Sequence, residues 1–197
     1  MSQPVEEFKT HKERTRERIL DSASCLFRDK GYNGVSIDAI MADAGLTRGG
    51  FYAHFKSKAN LFAAVMSREH GFTRVLRRLR TEAGDEDVRH AIEFYLSRNN
   101  LDEIGRDCPS VSLSSDVARV GGEVRTANTQ TLTDLLDEFE RHVPAGESDA
   151  RGRGAAALAL CIGGVVLARA MDSNHASDEL LDAATRYAKQ VMLAEDD

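Results

Sequence analysis

The apolar residues of this chain recur at steps of three and four along nearly all of its 197 residues, and this helical period constrains the fold more than any other feature. No segment shows the alternation of apolar and polar residues that is typical of a half-buried strand. The composition agrees with helices, because only three residues are prolines. The sequence therefore predicts an all-α fold.

The first third of the chain predicts one longer helix followed by three short ones. Residues 15–30 carry an amphipathic pattern, and Gly31 is placed to end that helix. Three side chains that cap helix starts by accepting a backbone N–H then follow within 22 residues. They are Ser36, Thr47 and Ser57.

A helix-turn-helix is predicted where the first two short helices meet. The helix that starts after Ser36 ends at Gly45, and a second helix from Thr47 to Phe55 follows directly. This second helix is of suitable length to enter the major groove of DNA. By itself, spacing of this kind is weak evidence for a helix-turn-helix.

The charge of the chain is divided unevenly between its two ends. Residues 9–80 contain 15 Lys and Arg against 7 Asp and Glu, whereas residues 81–197 contain 11 against 23. The net charge of −6 is therefore the sum of a basic first segment, which is suited to binding a polyanion, and an acidic remainder. Basic side chains before or along the first helix are candidates for phosphate contacts, although such runs are also typical of a solvated helix face. They are Lys9, Lys12, Arg14, Arg16 and Arg18.

The three cysteines are an odd number without a CxxC pair, so we expect neither a disulfide framework nor a zinc site. The polar, charged residues 2–18 lack the features of a secretion signal, and the longest apolar run, residues 155–168, is shorter than the roughly 20 residues of a membrane helix. We therefore expect a cytoplasmic protein without a metal, a cofactor or a membrane partner. Mobility is expected in residues 1–8 and 195–197.

Residues 45–58 read GLTRGGFYAHFKSK, which closely resembles the recognition-helix signature of the TetR family of repressors. The resemblance extends over roughly residues 12–69 and includes the segment from Gly31 to Ile37. It implies a three-helix DNA-binding domain over residues 9–69 and a larger helical ligand-binding and dimerisation domain over residues 70–197. A regulator of transcription rather than an enzyme is then expected.

By resemblance, five side chains are expected to contact DNA phosphates: Ser36, Thr47, Tyr52, His54 and Lys58. Hydroxyls, an imidazole and an ammonium near helix starts are suited to this task. Taken singly, each also fits a structural role: Ser36 and Thr47 as helix caps, Tyr52 as a packing residue, and His54 as an ordinary core or surface histidine.

Base reading is assigned to Arg48, because a guanidinium can bond O6 and N7 of guanine; the alternative is that Arg48 binds only phosphate. Gly49 and Gly50 lack side chains, so the backbone can approach DNA closely there. Ala53 is smaller than the residue that relatives often carry at this position. Direct base contacts are therefore expected to be few.

A dimer interface is expected in the last two helices, since a helix-turn-helix of this size usually binds a two-fold operator as a dimer. Two apolar stripes with small residues suit a four-helix contact between subunits. The alternative is a core within one chain. The predicted interface consists of Leu160, Gly163, Gly164, Leu167, Leu180, Ala184, Tyr187 and Val191.

By resemblance, the helices between residues 85 and 170 enclose a pocket for an inducer that the sequence does not identify. Five polar residues are candidates to point inward: Tyr95, Asn99, Arg125, Asn128 and Arg169.

A thiol-reactive inducer is the other possibility, because Cys108 precedes a predicted short helix whose amides, with Arg106, favour a thiolate, while Asp107 opposes it. Cys25 and Cys161 are expected to be buried and unreactive. Two alternatives are a thiol enzyme that uses Cys108 and a helical scaffold that does not bind DNA.

Overall fold

The structure, a computed structural model, describes residues 10–68, 72–74, 76–77, 85–101 and 108–193. These residues contain helices and no strand, which confirms the all-α prediction. Lys9, Arg106, Asp107 and the two termini predicted to be mobile lie outside the described residues. In chain order the α-helices are α1 (His11–Lys30), α2 (Ile37–Asp43), α3 (Lys58–Met66), α4 (Asp85–Tyr95), α5 (Pro109–Ser112), α6 (Ser114–Val120), α7 (Gly122–Arg141), α8 (Ala150–Arg169) and α9 (Asn174–Leu193).

Helix α1 begins earlier than the apolar period predicted, because a capping box fixes its start. The Thr10 hydroxyl accepts from the Glu13 backbone N–H at 3.3 Å, and the Glu13 carboxylate accepts from the Thr10 N–H at 2.7 Å. At the other end Gly31 has φ of +70°, a left-handed value that favours glycine. The predicted stop at Gly31 is therefore confirmed.

Two groups of buried apolar side chains hold the helices together. The first core joins α1, α2 and α3 around fully buried residues such as Phe27, Phe51 and Phe62, and the second core joins α4, α7, α8 and α9. The first core also contains three buried residues from much later in the chain, on or beside α6 and α7: Leu113, Val117 and Val124. The helices that carry the helix-turn-helix are therefore packed directly on α6 and on the start of α7.

Helix α8 lies in the second core, packed against α7 and α9. By length and composition it is also apolar enough to cross a membrane, with a mean hydropathy of 1.4 over 18 residues. Ala157, Cys161 and Val165 are completely buried on one side of the helix, whereas Val166 and Leu167 remain exposed on another. Its apolar composition thus reflects a core face together with an uncovered apolar face.

The predicted dimer interface divides into residues inside the chain and residues on its surface. A Cβ atom on Gly164 would lie 2.9 Å from Leu96 Cδ2 and 3.1 Å from Ala184 Cβ. Gly164 and Ala184 are therefore wrong as interface residues, because they let α8 and α9 approach within one chain. Leu160, Leu180 and Val191 are partly buried. The side chains of Leu167 and Tyr187 are about half exposed, at 54% and 52%, and nothing lies within 4 Å of a Cβ on Gly163.

The prediction for Cys25 is also wrong, because its side chain is exposed. Ala23 and Phe27 are completely buried, and Cys25 is two residues from each, which places it on the opposite face of α1. Cys161 is buried as predicted, and burial raises the pKa of its thiol to about 12.

Candidate nucleic-acid interface

The turn of the helix-turn-helix is built by one capping serine, one glycine and one arginine. The Ser36 hydroxyl accepts from the Ala39 N–H at 3.0 Å, which confirms the predicted cap of α2. Gly45 has φ of +65° and follows the end of α2, where Arg18 donates to the Ala44 carbonyl at 2.5 Å. Arg18 was a candidate for phosphate contacts, and its guanidinium stabilises this turn instead.

The segment after the turn is a 3₁₀ helix, Arg48–Ala53, rather than the α-helix predicted from Thr47 to Phe55. The Thr47 side chain makes no capping hydrogen bond, so the cap predicted there is wrong. Bonds such as Gly50 N–H to the Thr47 carbonyl, at 3.1 Å, have the shorter 3₁₀ spacing. Two adjacent glycines disfavour the α-helix, which accounts for the difference.

Phe51 anchors this segment and leaves its outer face free. The Phe51 ring is completely buried, and it contacts the Tyr52 ring edge-on at a centroid distance of 5.2 Å. Tyr52 itself is 62% exposed. No atom lies within 4 Å of a Cβ on Gly49, so that backbone faces open space. The segment therefore offers an exposed backbone and an exposed phenol, as expected for close contact with DNA.

Arg48 is exposed at the start of the 3₁₀ helix, where its guanidinium is paired with the Asp38 carboxylate of α2 at 2.8 Å. An exposed pair of this kind contributes roughly 0–1 kcal/mol, so it does not prevent Arg48 from bonding to a base. Asp38 was not among the residues predicted from sequence.

His54 is partly buried beside basic side chains from α1. Its Nδ1 atom is buried, and no hydrogen-bond partner for it occurs among the described residues. Burial lowers the pKa of His54, and the positive charges of Lys12, Arg16 and His11 lower it further. The Arg16 guanidinium lies 4.9 Å from the centroid of the Phe55 ring. Lys12 and Arg16, proposed from sequence as an extension of the basic surface, are thus close to His54.

Lys58 is the first residue of α3, after the predicted cap Ser57, whose hydroxyl accepts from the Asn60 N–H at 2.9 Å. The Lys58 ammonium lies 4.2 Å from the centroid of the Tyr32 ring, a cation–π arrangement. Partial burial lowers the pKa of Lys58, and the negative charge of Asp116 opposes this shift. Neither Tyr32 nor Asp116 was selected from sequence, and Asp116 lies far away along the chain.

The predicted DNA-contacting residues therefore occupy three consecutive elements: the start of α2, the 3₁₀ helix and the start of α3. Ser36, Thr47, Arg48, Gly49 and Tyr52 are exposed, and Gly50, His54 and Lys58 are partly exposed. Hydroxyl, guanidinium, imidazole and ammonium groups combined with open backbone suit a polyanion, because they offer positive charge and many donors.

Only some of the polar residues that were candidates to face a pocket are buried in the structure. Tyr95 and Asn128 are buried, whereas Asn99, Arg125 and Arg169 are exposed, so these three face water, which is equally compatible with their sequence. A cavity of about 520 Å³ lies between the end of α4 and the first half of α9. It is lined by Glu93, Leu96, Ser97, Arg98, Asp178, Leu181, Asp182 and Thr185.

Cys108 is buried at the start of α5, where the Tyr95 hydroxyl donates to its Sγ atom at 3.2 Å. Burial raises the pKa of the Cys108 thiol, although the hydrogen bond from Tyr95 and the backbone amides of Val111 and Ser110 oppose the shift. This environment disfavours a thiolate at Cys108, because desolvation outweighs the amide groups.

Comparisons with known proteins find bacterial transcriptional regulators that are similar to this chain. The family profile for bacterial regulatory proteins of the tetR family matches residues 19–65. An uncharacterised HTH-type transcriptional regulator from Bacillus subtilis (strain 168), YfiR, is 31% identical over 141 residues, which are 70% of this chain and 68% of that protein. Several other curated relatives match over a shorter stretch, about a quarter of their own length.

Solved structures share the fold along most of the chain. A TetR-family transcriptional regulator from Cytophaga hutchinsonii has a TM-score of 0.75 and 18% identity, with 92% of this chain and 96% of that chain covered. A complex of SmeT with triclosan has a TM-score of 0.65 and 27% identity, with 88% of this chain and 90% of that chain covered.

The environment of His54 predicts that DNA affinity depends on pH. The pKa of His54 is lowered in the free protein, and a phosphate placed beside the imidazole raises it, so the complex binds more protons than its components. Affinity should therefore increase as pH falls through the interval between the two pKa values, by up to about tenfold per pH unit for one proton. Fluorescence anisotropy between pH 8 and about pH 5.5 measures this.

His54→Gln is the matched variant, because it keeps a polar side chain that does not titrate. His11→Gln controls for the neighbouring histidine, which also lies near this surface. A pH dependence that is unchanged in His54→Gln would exclude His54 as the titrating group.

Proposed function

Because the chain belongs to the TetR family of bacterial DNA-binding transcriptional regulators, we propose that it is a repressor that a small-molecule inducer releases from a palindromic operator. One observation carries the proposal. The side chains at the start of α2, in the 3₁₀ helix and at the start of α3 form one donor-rich surface around the turn at Gly45, and Lys12 and Arg16 of α1 add positive charge beside it. We further propose that the protein acts in the cytoplasm, where its operator would be located.

In the proposed complex, the 3₁₀ helix lies at the major groove and its neighbours contact phosphates on either side. Ser36, Thr47, Tyr52, His54 and Lys58 contact phosphate oxygens, which fixes the register of the protein on DNA without reading sequence. Gly49 and Gly50 allow the backbone to come close. Arg48 leaves its partner Asp38 and reads a guanine.

A palindromic operator requires two copies of the chain, and we propose that α8 and α9 join them. Support comes from apolar side chains that stay exposed on these two helices and in the segment between them, at 39–54% of their surface: Val166, Leu167, Met171 and Tyr187. Covering such a strip with the same strip of a second copy removes apolar surface from water and produces a two-fold dimer. Gly163 allows the two α8 helices to approach closely.

We propose that the inducer binds without forming a covalent bond. SmeT, which shares the fold at 27% identity, has been solved in complex with triclosan, a small molecule. The cavity of about 520 Å³ beside α4 and α9 is open to solvent and lined mainly by polar side chains, and its volume is large enough for a small polar ligand. It adjoins α9, so a ligand there is in a position to affect the proposed dimer contact.

A thiol-reactive inducer acting on Cys108 is the less favoured possibility. Burial and the raised pKa of the Cys108 thiol slow any reaction that requires a thiolate. The same environment argues against a thiol enzyme that uses Cys108.

The DNA contacts make different predictions for Lys58 and Arg48. Lys58→Ala should weaken binding to every duplex and reduce the salt dependence by about one released counterion. Arg48→Ala should cost about 1–3 kcal/mol on the operator and relax the preference at one base position. Selection of operators from random DNA, followed by anisotropy over a salt series, provides both measurements.

Lys189→Ala is the control, since it removes one positive charge from α9 without touching the proposed surface. If Arg48→Ala weakened cognate and random duplexes equally, Arg48 would be a phosphate contact instead. A wild-type protein without salt-sensitive DNA affinity would be a scaffold.

Two adjacent glycines of α8 provide a matched test of the dimer. Gly164→Leu should lower the free energy of unfolding by about 1–3 kcal/mol, because its first side-chain atom already collides with Leu96. Gly163→Leu should leave the fold intact and separate the subunits. Thermal unfolding and sedimentation at micromolar concentration distinguish these effects, and a stable dimer of Gly163→Leu would place the interface elsewhere.

The two inducer classes are separated by cysteine variants. Peroxide or a quinone should release operator DNA equally from wild type and Cys108→Ser, because the Cys108 thiol is buried. Cys25→Ser controls for reaction at the exposed thiol. Release that is lost only in Cys108→Ser would overturn the non-covalent proposal and make Cys108 the sensor.

A further inference from the structure

We infer that Asp116, which belongs to α6, is a positioning residue of the DNA-binding surface. Its carboxylate fixes Tyr32 beside Lys58 and thereby holds the Lys58 ammonium where a phosphate can meet it. The inference rests on the proposed function, since it takes Lys58 as a phosphate contact. It adds a residue from outside the helix-turn-helix to the surface that binds DNA.

The Asp116 carboxylate is held firmly in place. Its side chain is only 13% exposed, and Oδ2 accepts from the backbone N–H of Tyr32 at 3.1 Å. Oδ1 is paired with Arg119 at 3.2 Å. A Cβ on Gly31 would lie 3.2 Å from Oδ2, so the absence of a side chain at residue 31 lets the carboxylate come close to the chain.

Tyr32 lies between Asp116 and Lys58 and connects the two. The Tyr32 ring packs against Phe62 and Phe27 at centroid distances of 5.0 Å and 5.8 Å. Its backbone is held by Asp116 and its ring by these two phenylalanines, which fixes the face on which the Lys58 ammonium lies at 4.2 Å. A lysine side chain is flexible, and ordering it on binding costs conformational entropy. Because the Tyr32 ring already restricts the Lys58 side chain in the free protein, less of this cost remains when Lys58 contacts a phosphate.

A second carboxylate braces the same region by a different contact. Glu123, in the first turn of α7, accepts from the Asn60 side-chain amide at 3.1 Å. Asn60 belongs to the first turn of α3, and the side chain of Glu123 does not hold the Tyr32 backbone. Glu123 is therefore a matched control for Asp116: both are acidic residues of the α6–α7 region that bond to the helix-turn-helix half.

The electrostatic effect of Asp116 and its positioning effect have opposite signs. Removing a carboxylate near a DNA-binding surface relieves repulsion from phosphates, so charge alone predicts tighter binding. Loss of the fixed positions of Tyr32 and Lys58 predicts weaker binding to DNA. Asp116→Asn separates the two, because asparagine keeps an oxygen that accepts from the Tyr32 N–H but carries no charge.

The experiment compares wild type, Asp116→Ala, Asp116→Asn, Glu123→Gln and Lys58→Ala as full-length proteins on the selected operator. Anisotropy over a salt series gives affinity and salt dependence, and thermal unfolding verifies the fold. Asp116→Ala should weaken binding about tenfold, the order of one hydrogen bond to a charged group, and reduce the salt dependence by about one counterion. Asp116→Asn and Glu123→Gln should bind at least as tightly as wild type.

The double variant Asp116→Ala with Lys58→Ala gives the decisive measurement. If Asp116 acts through Lys58, its removal should cause no loss of affinity in the Lys58→Ala background, where only the relief of repulsion remains and binding should become slightly tighter. An equal loss in both backgrounds, or unchanged binding by Asp116→Ala, would overturn the inference. Absence of salt-sensitive DNA binding by wild type would instead contradict the proposed function, so the two failures are distinguishable.

Discussion

The packing of Leu113, Val117 and Val124 into the first core is the interaction on which the rest of the structure depends. Helices α2 and α3 have only 7 and 9 residues, and helices this short are stabilised mainly by burying an apolar face. All three residues are almost completely buried among side chains of these helices. Part of the core that holds the helix-turn-helix therefore comes from α6 and α7. The proposed DNA-binding surface and the helices of the second core consequently share one packed boundary.

This shared boundary determines how a change in the second core can reach DNA. Helix α5 begins beside buried Cys108, α6 follows it directly, and α6 carries both Val117 in the first core and Asp116 at the Tyr32 backbone. The Thr131 hydroxyl of α7 also donates to the Met66 carbonyl of α3, at 2.8 Å. Because packed interiors transmit strain, a shift of α6 or α7 would displace α3 as well. Direct contacts between α6, α7 and the first core are therefore sufficient to connect the second core with the proposed DNA-binding surface.

Much of the fold and part of the candidate site could be predicted from sequence, because the relevant forces act over a few residues. The caps Ser36 and Ser57 and the stop at Gly31 depend on hydrogen bonds and backbone angles within one turn, and all three are observed. Thr47 fits the same pattern and does not act as a cap. The two glycines after it make the α-helix unfavourable, and the anchor Phe51 is compatible with a 3₁₀ turn. Local propensity and tertiary packing therefore decided this segment together.

By itself, the sequence determined the helical class, the helix boundaries to within a few residues, and the basic surface around Gly45, since periodicity, capping and charge are properties of neighbouring residues. Only the tertiary structure decided which side of each helix is covered. Gly163 and Gly164 belong to one apolar stripe in sequence, yet only Gly164 lies against Leu96 and Ala184. Asp116 and Tyr32 are 84 residues apart, and no local signal relates them. Contacts of this kind form only when helices pack together. Whether a helix face is buried depends on which other helix lies against it, and not on the neighbouring residues in the sequence.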